Sequence, residues 1–436
     1  MHLALLLLGV MAQWLNDPDQ APTGAEVLAG LRALTSRLEG RPGGSSSTVQ
    51  LRAVGRIPGR RHHASVYRIP VAVVLAALTM VTTTATPVEA ASGWEVSFRG
   101  GARTRIADLA ATGPADAWAA GRRETRRRDP RTGSPVMAPL VRHWNGRRWT
   151  EFASPGGPLR EISLIEASSP ANVWIAGSGA DRSVLSRWDG RRWRLMGSGR
   201  TTITDLDVSA GGRTWIVGRD DRTGGAFFKR YHRGRWTSLP APASLREISV
   251  RTPEDIWGRG PSAVMRWDGR SWQPVVLPAV AVPAAAEPAF GPVRVRYDAV
   301  LAAANGDVWI AAGFQQGDWT QPGAVLLHRR GGTWEQLRLP GDRVTTLSGD
   351  GSGGVYAATT RESITATPDG QDPYAYTTLS VDALRYAGGV LTRQSVTPPA
   401  TGFEWADLVA VPRTGWALAA GFAWKPPQGE VIFRNS

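Results

Sequence analysis

The feature that most constrains this chain is an aromatic residue, usually Trp, that returns about every fifty residues in the same local setting. Self-similarity at such a period specifies stacked or ring-closed repeats. An apolar strand, a small-residue turn and a second strand carrying the aromatic occur as Ala115-Asp116-Ala117-Trp118, Ala171-Asn172-Val173-Trp174, Arg213-Thr214-Trp215 and Glu254-Asp255-Ile256-Trp257. Gly306-Asp307-Val308-Trp309, Gly354-Val355-Tyr356 and Thr414-Gly415-Trp416 bring the count to seven. A hairpin signature alternates with it: Trp144-Asn145-Gly146 before Trp149, Trp188-Asp189-Gly190 before Trp193, and Trp267-Asp268-Gly269 before Trp272. Degenerate copies pair Tyr231 with Trp236, Arg329 with Trp334 and Tyr386 with Leu391. Asn-Gly and Asp-Gly predict two-residue hairpin turns, so each repeat reads as four antiparallel strands, here called A to D.

The seventh copy runs from Trp416 through Val431 to Asn435 without a strand D, while Ser92-Gly93-Trp94-Glu95-Val96 looks like a strand D that precedes every other strand. An N-terminal strand completing the last unit closes a ring and removes two exposed edges. The expected fold is therefore all-β: one seven-bladed β-propeller of four-stranded antiparallel blades over residues 91–436, closed by that strand.

Fifty Gly and 31 Pro suit a fold with many turns. The absence of Cys excludes disulfides, thiolate metal sites and cysteine nucleophiles. Trp94, Trp118, Trp149, Trp174, Trp193, Trp215, Trp236, Trp257, Trp272, Trp309, Trp334 and Trp416 occupy repeat positions, which assigns them to packing between blades rather than to ligand stacking. At roughly 150–250 Å² buried per Trp, each contributes on the order of 4–6 kcal/mol as an upper bound.

The segments Trp188-Asp189-Gly190-Arg191-Arg192-Trp193 and Trp267-Asp268-Gly269-Arg270-Ser271-Trp272 give residues 92–436 a resemblance to exported bacterial propellers of the kelch or galactose-oxidase central-domain type. That resemblance implies a fold and no activity. The copper chemistry of galactose oxidase needs a Cys-modified Tyr, which this chain lacks.

Upstream, residues 1–48 form an extension with no assigned function, and translation starting near Val49 or Val54 would omit it. Residues 49–90 read as a signal peptide or signal anchor. Arg60 to Arg68 are basic, the apolar run Ile69–Val81 falls short of the ~20 residues that span a bilayer, and Val88-Glu89-Ala90 suits cleavage after Ala90. The alternative is an uncleaved single-pass anchor at 69–81. Arg supplies nearly all the basic charge, Lys229 and Lys425 being the only Lys, a bias typical of GC-rich bacterial genes.

A second repeated column is basic: His143, Arg187, Arg230, Arg266, His328 and Arg385. Antiparallel pairing sets four of them beside Asp116, Asn172, Asp255 and Asp307, which predicts cross-strand pairs rather than an anion funnel. With His143 and His328 in different blades, no metal site and no cofactor is expected.

Function is expected where the repeat is broken. The insertions 122–139, 315–323, 362–378 and 424–429 connect strands B and C, and 279–296 connects D to A, all on one face of the ring. Candidate binding residues there are the off-pattern aromatics Phe314, Trp319, Phe422 and Trp424, and the basic run Arg122, Arg123, Arg126, Arg127 and Arg128, with Arg131 beyond it. The acids Glu124, Asp129, Glu287, Asp318, Glu362, Asp369 and Asp372 share the face without naming a catalytic pair. The expected function is that of an exported, monomeric, non-catalytic propeller recognising a glycan or an envelope protein. The alternative is a polysaccharide hydrolase or lyase. Residues 1–90 hold eight Arg and five acids, which leaves +11 of the formal +14 on the ring, yet nucleic acid is not an expected partner of an exported protein.

Overall fold

The computed structural model describes residues 81–82, 88–89 and 93–435, apart from 210, 286–290, 318, 342, 366–374, 397–402 and 424–427, with side chains described outside 81–82, 88–89 and 361–381. The chain separates into Met1–Thr79 and Met80–Ser436, and everything below concerns the second unit.

Seven antiparallel sheets follow one another, each built from strands A to D, and no helix occurs among the described residues. The first blade runs through Thr104–Gly113, Asp116–Arg128, Pro135–Trp144 and Trp149–Phe152. The seventh has Phe403–Ala410, Ala417–Ala423 and Gly429–Asn435 as A to C, and Trp94–Arg99 as its strand D. Trp94 sits opposite Asn435 and Arg99 opposite Val431, so the N-terminal strand completes the last blade as the sequence predicts. This seam is also pinned between blades: the Arg142 guanidinium pairs with Glu430 in a buried contact and lies 4.5 Å from the Phe98 ring. Two parallel two-residue strands, Val81–Thr82 and Val88–Glu89, lie against the outer strands of blades five and six.

The core is not one cluster but seven, and each bridges two successive blades. Trp118 packs on Ile162 and Ile165 of the next blade, Trp215 on Ile248 and Ile256, and Trp309 on Val344 and Val355. Strand-B positions Trp118, Trp174, Trp215, Trp257, Trp309 and Tyr356 are all buried. The strand-D tryptophans are less enclosed, and four of them satisfy their indole N–H across the seam. Trp193 Nε1 donates to the Ala153 carbonyl at 2.6 Å, Trp236 Nε1 to Met196 at 3.3 Å, and Trp272 Nε1 to Pro240 at 3.0 Å. Trp149 Nε1 reaches Ser97 Oγ at 3.3 Å, joining blade one to the N-terminal strand.

Three expectations need correction. In the seventh blade the residue at the basic-column position, Arg434, pairs in register with Leu418, so Leu418 takes the strand-B position and Trp416 precedes it by two residues, half-buried under Arg434. The Asn-Gly and Asp-Gly hairpins are four-residue loops, because Asn145, Asp189 and Asp268 each accept two backbone N–H groups through a side-chain oxygen and only the Gly takes a positive φ. Two-residue turns with both central φ angles positive occur instead at Arg233-Gly234, Gly331-Gly332 and Gly388-Gly389. Finally, the B–C insertions of blades one and five are largely strand. Blade one continues its ladder to Arg128 and resumes at Pro135, and blade five turns tightly between Gln316 and Trp319. Extending the ladder satisfies backbone groups that a long loop would leave to solvent.

Candidate functional site

Strand A is innermost in every blade, and successive A strands contact one another around a central channel. An innermost edge has no further strand to pair with, so its free N–H groups need other acceptors. Carboxylates supply them across the blade gaps. Asp108 accepts from Ile165 N at 2.7 Å, Asp205 from Ile248 N at 2.7 Å, Asp207 from Val250 N at 2.8 Å, and Glu247 from Val300 N at 2.9 Å. Leu109 N lies 2.9 Å from Asp108 and 3.2 Å from Asp407, two acids of neighbouring blades. Burial, reinforced by the adjacent Asp407, pushes Asp108 well above the usual carboxylate range. Burial also raises Glu166, with Asp207 and Asp205 adding to the shift, and lifts Asp207 to about 7. Sequence reasoning missed this ring of acids, since no single A strand shows it and the relevant spacing emerges only when all seven are superposed.

At the end of the ring that carries the B–C and D–A connections, two cavities open. The first, about 330 Å³, lies at the channel mouth across blades seven, one and two. Its wall includes Arg105 and Gly121 from blade one, Glu161 from blade two, and Glu404, Trp405 and Phe422 from blade seven. Arg122 and Glu161 are 2.8 Å apart, Arg105 pairs with Glu404, and the Arg105 guanidinium sits 5.7 Å from the Phe422 ring. At Gly121 and Gly421 strand B passes close to strand A: a Cβ on Gly121 would lie 2.0 Å from the Arg105 carbonyl oxygen, and one on Gly421 would meet the Phe403 ring. The second cavity, about 370 Å³, lies at blades four and five between Pro261, Pro292, Arg294, Arg296 and Gln315.

Of the residues expected to bind, Phe422 and Arg122 come together in the first cavity. Arg123 pairs with Glu151 at 2.6 Å, and Arg126, Arg127 and Arg128 are exposed along the blade-one hairpin. Trp319 is half-buried and pairs in register with Gln316, beside the second cavity. Phe314 is a correction: it is buried against Gly323 in the seam between blades four and five, because strand alternation turns it inward. Trp424 lies outside the described residues, as do Glu287, Asp318, Asp369 and Asp372.

The basic column does what cross-strand geometry predicts. His143 Nε2 lies 2.8 Å from Asp116, Arg187 Nε donates to Asn172 at 2.7 Å, Arg266 to Asp255 at 2.7 Å, and His328 Nε2 lies 3.1 Å from Asp307. Arg385 pairs likewise with Asp350 at 3.0 Å. The His328 ring also stacks on Trp309 at 3.5 Å. Among the described residues no three His, Asp or Glu gather to hold a metal ion, and no helix is long and apolar enough to cross a membrane.

No family profile matches the sequence, and no characterised relative does. Solved structures match the fold. A catalytically inactive virginiamycin B lyase from Staphylococcus aureus, solved with quinupristin, aligns over 79% of this chain and 99% of its own, with 10% identity and a TM-score of 0.50. A GH74 enzyme from Niastella koreensis and the GH74 xyloglucanase from Xanthomonas campestris each align over 78% of this chain and 55% of theirs, at 9% and 13% identity and TM-scores of 0.48 and 0.47. At such identities the likeness is one of scaffold, and propellers host unrelated functions. By its blades, its topology and its likeness in fold to the lyase, the chain is a seven-bladed β-propeller.

Proposed function

We propose that this propeller is an exported bacterial binding module, kelch-like in its use of one loop-bearing end, that recognises a glycan or an envelope protein through the cavity at the mouth of its channel. The observation that supports the reading is the convergence of off-repeat Phe422 and Arg122 with Arg105, Glu161 and Glu404 in one pocket drawn from three blades. Paired guanidinium and carboxylate groups beside an aromatic ring present donors, acceptors and an apolar face together, a combination suited to a polyhydroxylated ligand. Both pocket carboxylates are already engaged by arginines, which favours holding a ligand over moving protons.

Screening the purified ring on a glycan array, beside Phe422→Ala and Arg105→Ala, tests the reading. Binding lost in both variants at an unchanged melting temperature supports it, and binding that survives both removes the pocket as the site. New reducing ends or unsaturated products after incubation with polysaccharides would replace it by a hydrolase or lyase.

A further inference from the structure

Resting on that reading, we infer that the ligand is an anionic polysaccharide, carboxylate-bearing, gripped by the blade-one hairpin as it leaves the pocket. Strand B of this blade supplies Gly121 and Arg122 to the cavity wall and then continues outward to Arg128 before strand C returns from Pro135. Along residues 122–136 stand six arginines against two acidic residues.

The other B–C hairpins do not share this excess. In blade three, Arg219 and Arg222 are matched by Asp220 and Asp221, and in blade two Arg182 pairs with Asp181 at 2.9 Å. In blade five the sequence Gln315-Gln316-Gly317-Asp318-Trp319 carries one acid and no basic residue. The basic excess is thus confined to the hairpin that shares a wall with the pocket.

Within it the charges divide by position. Arg122 and Arg123, at the base, are neutralised by Glu161 and Glu151. Arg126, Arg127 and Arg131, further out, are exposed and make no ion pair among the described residues, and Arg128 donates only to the Gly133 carbonyl, at 3.0 Å. The hairpin's Asp129 is occupied in shaping the turn, accepting from Arg131 N at 2.8 Å and Thr132 N at 3.2 Å. Alternate residues of a strand repeat roughly every 6.5–7 Å, so the cations form a track rather than a single point. A neutral pocket base with a cationic track leading from it fits a chain whose terminal sugar is held by hydrogen bonds and whose following residues carry negative charge. A short neutral ligand leaves the track without a task.

The test measures binding of the purified 91–436 ring, whose blades and closing strand are all contained in that span, to polygalacturonate, to its methyl-esterified form and to single-stranded DNA, at 20 and 300 mM NaCl. The expected result is preference for polygalacturonate over the ester, at least tenfold weakening at the higher salt, and a similar loss in the Arg126→Ser/Arg127→Ser/Arg128→Ser variant at unchanged melting temperature. Equal binding of the ester, or a triple variant that binds polygalacturonate normally, overturns the inference and leaves the pocket reading intact. DNA bound more tightly than polygalacturonate also overturns it. Failure to bind any polysaccharide, the glycan array included, takes down both.

Discussion

The seven blade seams and the loop-bearing end of the ring are built from the same strands by opposite rules. Six of the seven seams repeat one solution, a strand-B aromatic buried against the next blade with a basic residue opposite it on strand C and, in most blades, an acidic or amide partner for that base, while the seventh sets Leu418 in the aromatic's place. The loop-bearing end repeats almost nothing, since one hairpin is arginine-rich, another carries a single acid and no base, and at the channel mouth three blades join into a pocket. A group that recurs at every blade answers to the geometry they share, and one that appears once is free to answer to a ligand. The tryptophans, the most conspicuous residues of the sequence, therefore belong to the ring's cohesion.

The comparison breaks most severely at the seam that no peptide bond closes. Deleting residues 93–99 strips strand D from blade seven, exposes Phe433 and Ile432, and removes Phe98 from Arg142. The ring is expected to lose cooperative unfolding altogether, as followed by near-UV circular dichroism on heating. Trp174→Ala, in an ordinary seam, is expected to cost about 3–5 kcal/mol by denaturant titration. Arg142→Met is expected to cost about 3 kcal/mol, because it strands the Glu430 carboxylate in a site where one oxygen already has no partner.

A smaller effect separates the seams from the channel. The channel acids are held above their ordinary values, Asp207 at about 7, so between roughly pH 4 and 7 the folded ring keeps protons that the unfolded chain releases. Their contribution to stability is fully present below about pH 4 and is lost as pH rises through 7. The melting temperature should accordingly be higher at pH 5 than at pH 8, and Asp207→Asn, which keeps an acceptor for Val250 N, should shrink that difference. A melting temperature that rises with pH, or a difference that Asp207→Asn leaves unchanged, would contradict the assignment.

What was legible in the sequence follows the same division. Blade number, strand order and the transfer of Trp94 to the last blade could be read because a two-residue alternation and a fixed period leave each strand one workable register. The pairing of His143 with Asp116 could be read for the same reason. Leu418 could not, since Trp416 nearby imitated the expected residue, and Phe314 could not, since its burial depends on which way a hairpin turns. Phe422 and Arg122 were separately visible as departures from the repeat, but their meeting in one cavity depends on ring closure bringing blade seven beside blade one. The channel carboxylates were invisible because one or two acids on a single strand A are unremarkable, and only ring closure sets those of successive blades beside one another.

The most direct test follows stability and binding in the same two proteins, Phe422→Ala/Arg105→Ala at the loop-bearing end and Trp174→Ala in a seam, on the glycan array below their melting temperatures. The account predicts that the first melts within about 2 °C of the parent and binds nothing, while the second melts far lower yet binds as the parent does. A double variant that still binds, or a folded Trp174→Ala ring that does not, would contradict it.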